Sequence, residues 1–76
     1  MLYFDYLIAY KFTASGYITS NDGTICVRRN HKIDSIEELE LVRKFVEEKI
    51  IENGYKDVAN VGIYNIVFLG EVKKKD

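Results

Sequence analysis

Hydrophobic side chains recur along this chain with two different periods, and the change of period divides it into elements. Between positions 2 and 12 every even residue is apolar or aromatic: Leu2, Phe4, Tyr6, Ile8, Tyr10 and Phe12. A period of two places these side chains on one side of an extended strand, and their aromatic and β-branched character suits that conformation. The odd positions, Tyr3, Asp5, Leu7, Ala9 and Lys11, form a mixed second face. Residues 13–23, TASGYITSNDG, hold the turn signals Ser15-Gly16 and Asn21-Asp22-Gly23. Tyr17 to Thr19 either extends the hairpin arm or forms its tip. Residues 24–30 then alternate again, with Ile25 and Val27 to one side and Thr24, Cys26 and Arg28 to the other. This predicts a shorter strand at a sheet edge, where charged side chains discourage unwanted pairing.

The period next becomes helical. Ser35-Ile36-Glu37-Glu38 fits a capping box, with Ser35 accepting from the N3 amide and Glu38 reaching back. Ile36, Leu39, Val42, Val46 and Ile50 recur at helical spacing as a buried stripe. Asn53-Gly54 supplies a stop, Gly54 being free to take the left-handed cap conformation. The predicted helix is Ile36 to Glu52. Residues 58–72 make a third strand, with Val61, Ile63, Val67 and Leu69 on one face and Tyr64, Ile66 and Phe68 on the other. Apolar residues on both faces imply that both are covered. Residues 73–76, KKKD, are expected to be a disordered, solvated tail.

The order β-β-α-β constrains the topology. A hairpin makes the first two strands antiparallel, and a right-handed crossover through the helix sets the third parallel to the second. Docked beside the first strand, it completes a three-stranded antiparallel sheet of order 2-1-3 with the helix on one face. Residues 1–76 are thus read as a single α+β domain. One helix leaves the other sheet face bare, and such apolar patches mark interfaces. Tyr3, Leu7 and Tyr64 on the sheet and Leu41 and Phe45 on a helix flank are the candidate interface residues.

Composition reinforces that expectation. A core in so short a chain supplies only about 3–5 kcal/mol of net stability. One cysteine closes no internal disulfide, and one Cys with one His is a poor metal set. Association is the remaining support, and a symmetric homodimer is the expected form. Eleven basic against twelve acidic residues argue against a general nucleic-acid binder. The apolar N-terminus contains Asp5 and Lys11, lacks a positive n-region, and nowhere approaches the ~18 apolar residues of a membrane span. A cytoplasmic protein with reduced Cys26 is expected.

The chemistry is sparse. Cys26 and His31 lie five residues apart, so strand parity points them to different faces, and Cys26 is expected to be a buried structural residue. Asp5 is expected to be exposed at an edge or paired with Lys11 or an arginine. Gly62 opens no helix and cannot form a phosphate loop. The aromatic sheet resembles an RNA platform, but the RNA motif needs a second helix and a Lys/Arg-Gly-Phe/Tyr segment, absent from this sequence. A non-enzymatic protein without cofactor or metal is the expectation. The stretch TICVRRNHKI concentrates Arg28, Arg29, His31 and Lys32. With Tyr17, these are the candidate residues for a partner or a small anionic ligand. Two readings stay open: an edge protected by charge, or arginines and Lys32 converging on an anion.

Tyr3-Phe4, Tyr10-Lys11-Phe12-Thr13, a glycine-bearing turn, Ile33, Ser35-Ile36-Glu37-Glu38 and the terminal Ile66-Val67-Phe68-Leu69 together resemble short proteins from phages of Gram-positive bacteria. That resemblance implies a small viral accessory protein of the anti-defence type. Such a protein would act in the host cytoplasm by binding and inhibiting a host protein, for example a CRISPR nuclease. The alternatives are a dimer that sequesters a nucleotide signal between Arg28, Arg29 and tyrosines, and a structural dimerisation module.

Overall fold

The computed structural model describes residues 1–75. Three strands and one helix follow in the order β1 (Leu2–Thr13), β2 (Asn21–Arg29), α1 (Ile36–Glu52) and β3 (Ala59–Lys73). The sheet has the order β2-β1-β3, antiparallel throughout. This is the α+β arrangement that the alternation and the crossover rule predict.

The even side of β1 makes the core. Phe4, Tyr6, Ile8 and Phe12 are buried with Val27 of β2, Val61 of β3 and Val42, Val46 and Ile50 of α1. The Tyr6 ring lies 5.4 Å from Phe68, and its hydroxyl accepts from the Ile33 N–H at 3.0 Å. A core tyrosine thereby ties the segment entering α1 to the central strand. Ser35 caps the helix, its hydroxyl accepting from the Glu38 N–H at 3.1 Å. The Glu38 carboxylate accepts from Arg29 at 2.9 Å, so a cross-element ion pair takes the place expected for its return bond to the cap. Gly54 closes the helix with φ +98°, a conformation a side chain would strain.

Several sequence expectations need correction. Asn21-Asp22-Gly23 is strand, not turn: Asn21 pairs with Phe12, Asp22 with Lys11 and Gly23 with Tyr10. The Tyr10 ring lies over Gly23, where a Cβ would come within 2.7 Å of the Tyr10 hydroxyl and displace that side chain. Ile36 does not join the buried stripe and is 83% exposed, and Leu39 is 37% exposed. The stripe is narrower because only Val42, Val46 and Ile50 of α1 are buried. Strict alternation also fails in β3, where register shifts fall between Asp5 and Tyr6, between Ala9 and Tyr10 and between Lys11 and Thr13. Leu69 and Tyr64 are the extra residues at the first two, and each resets the parity; at the third, Asn60 and Val61 stand against Phe12. Ile63, Ile66 and Phe68 consequently share the face opposite Tyr10, Ile8 and Tyr6. The basic tail starts later than expected: Lys73 belongs to β3, and the Lys74 N–H donates to the Met1 carbonyl. Asp76, the last residue of that expected tail, lies outside the described residues.

Burial of the helix stripe gives the first test. Ile50→Ala should cost about 2–5 kcal/mol, whereas Leu39→Ala should cost about 1 kcal/mol or less. Urea unfolding of the two variants checks this, and equal losses would place the helix on a different face.

Candidate functional site

Helix α1 covers only the even face of β1. On the opposite face Tyr3, Leu7 and Ala9 are half-buried against strand neighbours, with no helix or strand above them among the described residues. From β3 come Val67, which pairs with Leu7, and the bulge residues Tyr64 and Leu69, which are 57% and 55% exposed. Cys26 of β2, opposite Leu7, is exposed. The expectation of a buried cysteine is therefore overturned, because parity puts Cys26 on the side that the helix does not cover. Each large apolar side chain left in water forgoes about 1.5–3 kcal/mol.

Charged groups bracket this strip. At one end Arg28 donates to both carboxylate oxygens of Asp5, at 2.7 and 2.8 Å, and lies 6.0 Å from the Tyr3 ring. At the other end Lys11 pairs in register with Asp22 and sits 5.3 Å from the Tyr64 ring. The hydrogen bond from Arg28 holds the Asp5 carboxyl below the usual aspartate range.

The candidate binding residues do not come together. Arg28 points to the bare face and Arg29 to the helix side, where Glu38 engages it. Lys32 lies 5.7 Å from the Phe4 ring, also on the helix side. It lines a shallow hollow with His31, but Asp34 and Glu38 line the same hollow and remove any single sign of charge. Tyr17 lies beyond the other end of α1, its ring 5.5 Å from that of Tyr55. The 17-residue helix separates these two ends by about 25 Å. Convergence of Arg28, Arg29 and Lys32 on one anion is thus replaced by two arginines, each committed to a carboxylate.

The interface candidates divide likewise. Tyr3, Leu7 and Tyr64 share the bare face, whereas Leu41 and Phe45 are on α1. Phe45 follows Glu38 by two helical turns, so this flank lies on the side where Glu38 reaches β2. The sequence reading missed Val67, Leu69 and Asp22 as parts of the face. Gly70, a glycine inside a strand pattern with φ +142°, was the available signal for the bulge beside Leu69.

Among the described residues no group of three or more His, Cys, Asp or Glu side chains is placed to hold a metal ion. No helix among them is long and apolar enough to cross a membrane. No protein-family model, curated protein or solved structure matches this chain.

The Asp5–Arg28 pair has a defined pH signature. Its contribution is present above the ordinary aspartate value, about 4, and is lost as pH falls through the lowered folded value. An NMR titration of the Asp5 carboxyl should give a midpoint below the ordinary value, and Arg28→Ala should raise it. An unchanged midpoint in that variant would show that Arg28 does not hold the carboxylate.

Proposed function

We propose that this is a non-enzymatic protein-binding domain, and that its bare sheet face is a contact surface between chains. The observation that carries this reading is the strip of Leu7, Val67, Leu69 and Tyr64, apolar and uncovered in a domain with little core to spare. Exposed apolar areas of this kind mark protein contacts. The resemblance to short phage proteins extends the reading to a partner class: a host protein held in an inhibited state, a component of anti-phage defence such as a CRISPR nuclease. On that reading the domain works in the host cytoplasm and inhibits by occupying a surface.

A second reading, a dimer that holds a phosphorylated small molecule, draws on the hollow between Tyr17 and Tyr55, about 480 Å³ in volume and edged by Lys56. Stacking on tyrosine suits a base. The arginine forks that would grip a phosphate are engaged with Asp5 and Glu38 instead, so the protein-contact reading is preferred.

The test is Leu7→Lys, which places a charge in the middle of the strip. Capture from a bacterial lysate by the tagged parent should retain an identifiable defence protein whose activity falls on addition of the domain. Leu7→Lys should fold like the parent and retain that protein at least tenfold less. Equal retention and equal inhibition by both would rule out the sheet face as the contact surface.

A further inference from the structure

In the β1–β2 ladder four charged side chains stand on the bare face, with Lys74 of the C-terminal end also near Asp5, and the positions of the four define a symmetry. In the register of the sheet Asp5 lies opposite Arg28, Ile8 opposite both Ile25 and Ile66, and Lys11 opposite Asp22. The level of Ile8 is midway between the two charged levels, three residues from each, on both β1 and β2. At one end the acid is on β1 and the base on β2. At the other end the order is reversed.

Two sheets can pack face to face about a two-fold axis lying between them. An axis running across the strands at the level of Ile8 keeps each strand over its own copy and exchanges the ends. Asp5 then faces Lys11 of the second copy, and Arg28 faces its Asp22. Both contacts occur twice. An axis running along β1 would instead set Asp5 over Asp5 and Lys11 over Lys11. The charge pattern accepts the first arrangement and rejects the second.

Strand β3 fits the crosswise axis as well. Gly70 pairs with Asp5 and Gly62 with Lys11, so the two charged levels that come together both carry glycine on β3. A Cβ at either glycine would meet nothing within 4 Å of its own chain, which leaves room for the facing sheet. Between the charged levels the crosswise axis sets Leu7 over Ala9 and brings the bulge residues Leu69 and Tyr64 of opposite copies to neighbouring levels.

We infer that the bare face is covered by a second copy of this chain, in a two-fold sheet-on-sheet dimer whose axis crosses the strands at Ile8 and Ile25. This rests on reading the face as a protein-contact surface and names its occupant. A host protein on the same face would compete with the second copy for it.

Paired charge reversals test the geometry, because each keeps opposite charges at register partners of its own sheet, Asp5 with Arg28 and Lys11 with Asp22. Asp5→Arg with Arg28→Asp reverses one end, and Lys11→Asp with Asp22→Lys reverses the other. By sedimentation equilibrium the parent should dimerise at micromolar concentration. Each single-end reversal should dimerise more than tenfold more weakly, with an unchanged circular dichroism spectrum. The chain carrying all four substitutions should recover dimerisation, as should a mixture of the two single-end variants. Should one reversal fail to fold, the salt dependence of the parent decides, since facing opposite charges weaken as salt rises. A monomeric parent at high micromolar concentration, or single-end reversals that dimerise like the parent, would overturn the pairing. If Leu7→Lys abolished partner capture by such a monomeric parent, the protein-contact reading would survive while the self-pairing fell.

Discussion

A single helix cannot cover both faces of a three-stranded sheet, and the rest of this structure follows from that shortage. β1 is central and apolar on its even side, so α1 packs there and the core closes around Ile8, Val42, Val46 and Ile50. The odd side of the same strand still carries Tyr3, Leu7 and Ala9. Pleating makes the two sides inseparable, because a strand cannot present one set of side chains without presenting the other. The chain answers with bulges in β3 that send Ile63, Ile66 and Phe68 to the helix side while Tyr64 and Leu69 go to the bare side. Both faces thereby gain apolar surface, and only one of them has a cover.

Charge on this molecule is spent in pairs. Arg28 with Asp5, Arg29 with Glu38, and Arg43 with Glu40 and Glu47 leave all three arginines engaged with carboxylates. Exposed pairs of this type contribute little to stability, about 0–1 kcal/mol each. On the β1–β2 ladder of the bare face each charge has an opposite charge as its register partner. The proposed sheet-on-sheet contact takes its register from those same charges.

Much of this was legible in the sequence because it depends on local periods. The alternation of β1, the Ser35 cap, the Gly54 stop and the opposite orientation of Arg28 and Arg29 all follow from side-chain spacing within one element. What could not be read required knowledge of a neighbour. Asn21-Asp22-Gly23 has turn chemistry, yet the long partner strand pulls it into the ladder, so Asp22 was not seen as part of a face. Cys26 has the character of a core residue, and only the placement of α1 on the other side exposes it. Ile36 has the right helical spacing, but it precedes the point where the helix meets the sheet. In β3 three register shifts reset the parity, and no alternation rule applied to the whole strand can survive them.

Cys26 provides the most direct measurement of the central claim, that the second sheet face is open in one chain and covered only by association. Its thiol sits on that face, opposite Leu7 and one level from the axis at Ile25. The rate at which a bulky thiol reagent alkylates it, followed by mass spectrometry across a dilution series, reports the cover without any substitution. The rate should match that of an unhindered thiol when the protein is dilute and fall steadily as concentration rises through the association range. A thiol that is slow even at the highest dilution, or a rate independent of concentration throughout, would contradict the claim.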